Sequence, residues 1–283
     1  MRKKVALATS AKWPDLAPED SDLVGELGAF SLEALPAVWS NRSLDWSQFA
    51  MVIIRSCWDY HTRVEEFRAW CERLDDAGVT LYNPPAIVRW NLNKRYLLEL
   101  AAKGVSIPRT EFVRTASSAT LAGKVIVKPV ISAAAFETHL FDDSALAAAA
   151  IDRLGAAGEV IVQEFIAEVI DGGEWSLMFL DREFSHAVRK LPKTGDFRVQ
   201  EELGGSSVAA TPSAQLLREA ERIVTMIEGD LLYARVDLVE RPGGGTLMEI
   251  ELIEPSLFFK SAPGSARRFA SAVNRRAQTT SGA

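Results

Sequence analysis

The segment YARVDLVERPGGGTLMEIELIE, residues 233–254, constrains this chain most. Two apolar-rich runs flank a glycine-rich turn, the pattern of an antiparallel hairpin. In the second run Glu249 and Glu251 alternate with Met248, Ile250 and Leu252. Side chains on a strand alternate faces, so both glutamates share one face and the apolar residues take the other. Asp237, between apolar neighbours on the first run, can point the same way. Carboxylates crowded on one sheet face repel unless cations neutralise them. Oxygen-only ligands suit Mg²⁺, which bridges protein carboxylates and substrate phosphates. Alone, such alternation more often marks a solvated strand face, so the rest of the chain decides.

The chain has 283 residues, 48% hydrophobic and 25% charged, with a net charge of −6. That is a globular composition, long enough for two or three subdomains around a cleft. No basic stripe argues for nucleic acid. Two cysteines, Cys57 and Cys71, without a CxxC, supply neither a disulfide framework nor a structural zinc site. The basic start, MRKKVALATSAKWPD, carries too short an apolar stretch for a signal peptide, and no run approaches membrane-spanning length. A soluble, cytoplasmic protein is expected, with no membrane partner.

Residues 4–9 and 51–54 read as buried strands, with an aperiodic, ambiguous stretch between them. A helix follows: Thr62 and Glu65 form a capping-box pattern, Phe67, Trp70, Cys71 and Leu74 share a face, and Gly78 stops it. VTLYN reads as another strand. This alternation predicts an open, largely parallel α/β sheet. Asn93 caps the next helix, and Pro108 marks a boundary. Then come a strand at 124–129, a small-residue loop ISAAAFET, a helix at 144–154, a strand EVIVQEFI and two strands across GGEWSLMFLDREFSHAVRK, an α+β pattern. Residues 193–211 read as a long loop or lid. Ser213 caps a helix with apolar positions Leu216, Leu217, Ala220, Ile223, Val224 and Ile227. The last twenty residues read as one helix and a frayed tail.

Lys128 ends a buried strand and points toward a cleft. Ser132 and the alanines after it can bring backbone N–H groups near phosphate, although no P-loop is present and, taken alone, a plain surface turn is the preferred reading. Gln163 and Glu164 interrupt an apolar strand that can offer its backbone to an adenine ring, and Glu174 can accept from ribose hydroxyls. Lys190, Arg198 and Arg235 supply cations for phosphate transfer. Arg55, Ser56, Trp58, Asp59 and Tyr60 follow a strand at its carboxyl end, where open α/β sheets bind ligands. Arg55 can grip a carboxylate and Asp59 an ammonium; equally, the aromatics can cap the core while Arg55 and Asp59 pair. Glu254 can bind a substrate amine. His139 and His186 are given no role, since a lone histidine is more often structural.

Taken in order, these motifs resemble the ATP-grasp superfamily over roughly residues 90 to 260. The matching features are a first lysine (Lys94), KP after a strand (Lys128), a small-residue loop, an adenine hinge (Gln163, Glu164, Phe165, Ile166) and a ribose glutamate (Glu174). RxD (Arg235, Asp237) and ExE (Glu249, Glu251) complete the series. RKLPKTGDFRVQEELGG is similar to ribosomal-protein glutamate ligases and bacterial glutathione synthetases, which carry Glu-x-Asn where this chain has Glu251. RSCWDYH, WNLNKRYL, GEWSLMFLDREFSHAVRK and MEIELIEPSLF resemble the small ATP-grasp ligases of D-cycloserine biosynthesis, over nearly the whole chain. The resemblance implies an ATP-grasp fold, with an N-terminal open α/β pre-ATP-grasp substrate domain at 1–93, a small central lid domain at 94–166 and a C-terminal catalytic domain at 167–283. It implies ATP and Mg²⁺, a small amino-acid-like substrate, and leaves a homo-oligomer open.

The implied activity is ADP-forming carbon–nitrogen ligation. The substrate carboxylate attacks the γ-phosphate, and an amine then displaces phosphate from the acyl phosphate. Asp237, Glu249 and Glu251 would hold Mg²⁺, Lys94 and Lys128 would contact phosphates, and Arg198, Lys190 and Arg235 would stabilise transferring charge. In the D-cycloserine ligases the amide closes a ring, from O-ureido-D-serine. Two alternatives stay open: an intermolecular ligase joining amino acids or a protein tail, and a non-catalytic ATP sensor.

Overall fold

The computed structural model describes residues 2–279. Its first unit is α/β: strands β1 (Lys4–Thr9), β2 (Glu33–Val38), β3 (Met51–Ile54) and β4 (Thr80–Tyr82), with helices α1 (Leu23–Ala29) and α2 (Val64–Asp76) in the connections. All pairings are parallel, in the order β2-β1-β3-β4. The apolar runs of β1 and β3 are buried on both faces, as covered parallel strands require. The ambiguous stretch hides β2, an edge strand whose Pro36 breaks the strand pattern. Phe67, Trp70, Cys71 and Leu74 bury the inner face of α2 as expected. The capping box does not form. A short 3₁₀ turn over Tyr60–Thr62 precedes the helix, the Thr62 hydroxyl donates to the Asp59 carbonyl, and Arg63 takes the cap position.

Helices α3 (Pro85–Leu92) and α4 (Tyr96–Ala102) lead out of this unit. Asn93 does not cap α4 from the N-cap position, which Arg95 holds; its side chain accepts from the Arg95 N–H in a tight turn between the helices. A second, antiparallel sheet follows, built from β5 (Thr110–Val113), β6 (Val125–Pro129), β7 (His139–Phe141) and β8 (Val160–Glu164) in the order β5-β8-β6-β7. Helix α5 (Ser144–Gly155) covers one face with Ala147, Ala150 and Ile151. Gly155 is obligatory there: a Cβ would lie 1.9 Å from the Arg114 carbonyl oxygen.

The third sheet begins after the short helix α6 (Glu168–Gly172). It comprises β9 (Glu174–Leu180), β10 (Glu183–Leu191), β11 (Ser206–Ala209), β12 (Tyr233–Arg241) and β13 (Gly244–Glu251), in the order β11-β10-β9-β12-β13. Strand β11 lies inside the region expected to be loop. Helix α7 (Ala214–Thr225) is capped by Ser213, which accepts from the Leu216 N–H, and buries Leu216, Ala220, Ile223 and Val224 against the sheet. The final helix α8 (Ser265–Thr279) packs on α1 and shares a core with β1 through Phe269, Ala270 and Val273. The expected frayed tail beyond it lies outside the described residues.

Buried polar side chains fasten the first unit to the third sheet. The Asn83 amide donates to the carbonyls of Tyr233 and Leu252 and accepts from the Leu232 N–H. Asn91 donates to the Ile250 carbonyl and accepts from the Leu252 N–H. The Tyr233 hydroxyl lies 3.0 Å from the Ile54 carbonyl oxygen of β3 and 3.2 Å from that of Tyr82 in β4. Such satisfied side-chain-to-backbone bonds fix the register of two elements without leaving orphan groups. Among the described residues no helix is long and apolar enough to cross a membrane.

Candidate active site

The three sheets enclose a cleft of about 650 Å³, lined from every unit. Its floor is the face of β9, β12 and β13. Asp237 stands directly opposite Glu249, and Arg235 opposite Glu251. Ser176 of β9 faces Asp237 from the other side, and Lys190 of β10 faces Glu174. Period-two alternation therefore delivers the carboxylates to one face, as expected from the sequence, and brings cations with them.

The ion pairs form a chain. Arg235 donates to Asp237 at 2.9 Å and to Glu251 at 2.5 Å. Lys190 lies 2.5 Å from Glu174 and 3.4 Å from Asp237. Lys94 lies 2.9 Å from Glu249 and also donates to the Ser132 carbonyl at 2.7 Å. Lys128 donates to the Gln163 side chain at 3.3 Å. Burial opposes ionising Asp237, but Arg235 and Lys190 outweigh it and hold the carboxyl below its usual range. Lys94 and Lys128 likewise overcome burial at Glu249 and lower it. Glu251 goes the other way: burial, reinforced by Glu249 and Asp237, pushes it up to about 7 despite Arg235. Burial also raises Glu174 and lowers Lys128.

This changes the picture of a three-carboxylate metal site. Among the described residues no three His, Cys, Asp or Glu side chains form a ready-made ligand cluster. Asp237 is 3% exposed and accepts from Ser176, Arg235 and Lys190, so its oxygens are already engaged. Glu249 and Glu251 share that face and are paired as well, with Lys94 and Arg235, as two hard oxygen donors. That pair fits Mg²⁺, which takes one or two protein carboxylates and completes its shell with phosphate oxygens and water.

Lys94, Lys128, Lys190, Glu174, Arg235 and Ser132 all line the cleft. The small-residue loop runs through Ala134, Ala135 and Glu137 at φ of 50°, 55° and 49°, left-handed geometry that glycine would adopt more readily. Gln163, Glu164, Phe165 and Ile166 form one wall. Phe165 meets Phe197 edge-on at 6.0 Å, which leaves an apolar slot between the β8 exit and the 193–205 segment. Glu164 turns its side chain to Arg109 at 3.0 Å. Arg198 lines the cleft but pairs with Asp196 at 2.8 Å, apart from the Arg235–Lys190 cluster.

At the other end, Trp58, Asp59, Tyr60 and Glu254 line the cleft. Trp58 donates to the Glu254 carbonyl at 3.0 Å, and Trp39 donates to Asp59 at 2.8 Å. Burial raises the Glu254 carboxyl well above its usual range. Arg55 and Ser56 do not join them. Arg55 is 1% exposed, and its partner is Asp20 rather than Asp59. Its guanidinium donates to Asp20 and to the Pro255 carbonyl, while the Ser56 hydroxyl donates to the other Asp20 oxygen. Their work is to lock the 10–22 segment beside the cleft. Asp20→Ala would leave a buried guanidinium unpaired, a loss of about 3–5 kcal/mol. Thermal or urea unfolding of this variant should show it, and a loss under 1 kcal/mol would contradict the buried pair.

Sequence reasoning missed several lining residues: Lys12, Trp13, Glu19, His61, Ser256 and Lys260. Glu19 accepts from the Ser256 hydroxyl, and burial with Asp20 beside it pushes its carboxyl up to about 7. No periodic signal marks residues 10–22. His61 stands inside the RSCWDYH motif but carries no pattern of its own.

A cleft bounded by a small antiparallel sheet and a larger one, with acids and lysines converging between them, defines an ATP-dependent carboxylate ligase of the ATP-grasp class. Comparison with known proteins agrees. Residues 105–260, more than half of the chain, match the ATP-grasp domain of prokaryotic glutathione synthetase, and residues 5–83 match the N-terminal domain of D-cycloserine synthetase DcsG. The chain is 33% identical over 263 residues to the cycloserine biosynthesis protein DcsG of Streptomyces lavendulae, covering 84% of this chain and 87% of that protein. A glutathione synthetase of Prochlorococcus marinus is 27% identical over 256 residues, 84% of this chain and 79% of its own. The crystal structure of D-cycloserine synthetase DcsG superposes with a TM-score of 0.85 at 29% identity, over 97% of this chain and 99% of that one. The chain belongs to the ATP-grasp family, in the branch that contains D-cycloserine synthetase, and its relatives are ADP-forming ligases that use ATP and Mg²⁺.

Proposed function

We propose that this chain activates a small amino-acid carboxylate as an acyl phosphate and closes an amide ring on it, the reaction type of D-cycloserine formation from O-ureido-D-serine. The observation that carries this reading is the arrangement on the cleft floor: Glu249 and Glu251 on one strand face, with Lys94 and Lys128 acting on Glu249 and Arg235 on Glu251. Catalysis there is positioning and neutralisation of charge. Glu249 and Glu251 would hold Mg²⁺, which when bound would neutralise charge on the phosphates. Lys128, a buried ammonium at the end of β6, and Lys94 would hold the triphosphate, with Ser132 on the adjoining loop. The Gln163–Ile166 wall would take the adenine, and Glu174 the ribose. Arg235 and Lys190 would face the transferring phosphoryl group, and Arg198 would close over it with the 193–205 segment. Trp58, Asp59, Tyr60 and Glu254 would bind the amino-acid end, and Glu254, whose carboxyl burial holds well above its usual range, would gain a partner if an ammonium enters.

The likeness to D-cycloserine synthetase over the N-terminal unit, where the substrate end of the cleft lies, supports ring closure over intermolecular ligation. Incubation with MgATP and O-ureido-D-serine should release ADP and phosphate and give a cyclic product by mass. ADP release only when a second amino acid is supplied would instead identify an intermolecular ligase. Tight MgATP binding without ADP formation would identify a sensor.

A further inference from the structure

The geometry points to His61 as the general base that takes the proton from the attacking nitrogen when the amide forms. This assignment rests on the acyl-phosphate reading above. His61 lies on the cleft wall, half-buried, between two units of the fold. Its Nδ1 stands 2.9 Å from the Trp58 carbonyl oxygen. A carbonyl only accepts, so Nδ1 carries the hydrogen and the neutral ring keeps its lone pair on Nε2. Among the described residues nothing donates to or accepts from Nε2. The ring is held a second time, by Phe136 of the small-residue loop, at 5.1 Å between centroids. The base is thus fixed by the substrate-side unit and by the loop expected over the phosphates, which sets it at the junction of nucleotide and substrate.

Its surroundings favour the neutral ring. Burial lowers its pKa from 6.5, and Lys94 adds to that, outweighing the Trp58 carbonyl and Asp59. Glu137, on the loop that carries Phe136, is turned to His139 and Arg153. Lys94 in turn touches Glu249, and His61 lines the same cleft as both.

The step balances as follows. Water first removes the ureido carbonyl as carbon dioxide and ammonia, which frees the amino-oxy nitrogen; its lone pair then forms the new bond to the acyl carbon, and the carbon–oxygen bond to phosphate breaks with its electron pair on phosphate. The proton on nitrogen passes to Nε2 and then to solvent. Removing a general base costs about 10²–10⁴-fold. Formation of the acyl phosphate needs no base, because a carboxylate is the nucleophile.

The test uses the full chain with MgATP and O-ureido-D-serine, with and without hydroxylamine, which captures an acyl phosphate as hydroxamate. His61→Gln should slow cyclic product by 100-fold or more while hydroxamate formation changes less than about 3-fold. With Mg²⁺ saturating at each pH, wild-type product formation should fall relative to hydroxamate on the acid side below pH 6.5, and the variant should lose that limb. Product formation by the variant within 3-fold of wild type, or an equal fall of hydroxamate and product, would overturn the assignment. Absence of both ADP and hydroxamate from the wild type would instead remove the acyl-phosphate reading itself.

Discussion

Lys128→Ala and Glu249→Ala should each reduce MgATP-dependent ADP release by at least about 100-fold while the chain stays folded. Removing one preorganised charge from a water-excluded site costs on that order, because nothing need reorganise when the transition state forms. Lys128 follows Val125, Ile126 and Val127 near the end of β6, and its ammonium donates to the Gln163 side chain. Burial already lowers its affinity for a proton, so a phosphate would be a better partner than any it now has. Lys94 and Lys128 hold the Glu249 carboxyl below its usual range, and Glu249 lines the cleft. Since Lys94 keeps its bond to the Ser132 carbonyl, Glu249→Ala need not unfold the protein. A coupled ADP assay beside far-UV circular dichroism measures both. Wild-type ADP release by either folded variant would dismantle the proposed nucleotide site.

Metal dependence should carry the signature of Glu251. Its carboxyl is pushed up to about 7 from 4.5, chiefly by burial. A proton and Mg²⁺ compete for it, so apparent Mg²⁺ affinity should weaken by about tenfold per pH unit below 7 and level off above it. Glu251→Asn, which installs the residue of the Glu-x-Asn relatives, should abolish that slope. In the metal-free protein the same shift has the opposite reach. Between pH 4.5 and 7 the folded state keeps a proton that the unfolded chain has released, so this group's contribution to stability falls as pH rises. Magnesium titrations of ADP release from pH 6 to 8 test the first statement, and thermal unfolding of both proteins from pH 5 to 8 tests the second. An identical Mg²⁺ slope in wild type and Glu251→Asn would exclude Glu251 from the metal.

What was legible in advance divides along physical lines. Asp237, Glu249 and Glu251 announced a shared face because strand alternation is a local rule, and the register placed Asp237 opposite Glu249. The apolar positions of α2 and α7 were legible for the same reason. Arg55 was misread because its partner, Asp20, sits 35 residues away in an aperiodic segment. Only the folded sheet shows that the guanidinium points into protein rather than into the cleft. Thr62 carried a capping signal that a preceding 3₁₀ turn absorbed. His61 needed the Phe136 loop of a different sheet beside it before it stood out from its motif.

Helix α8 sets an order of events during synthesis. Phe269, Ala270 and Val273 complete the core that β1 and α1 begin, and Lys3 bonds the Ala277 carbonyl. The first residues made therefore wait for residues 265–279 to leave the ribosome, tens of seconds at about 5–20 residues per second. The central antiparallel sheet has its own local core and can form meanwhile. Nascent chains should accordingly stay sensitive to proteases in the first unit until synthesis passes that helix.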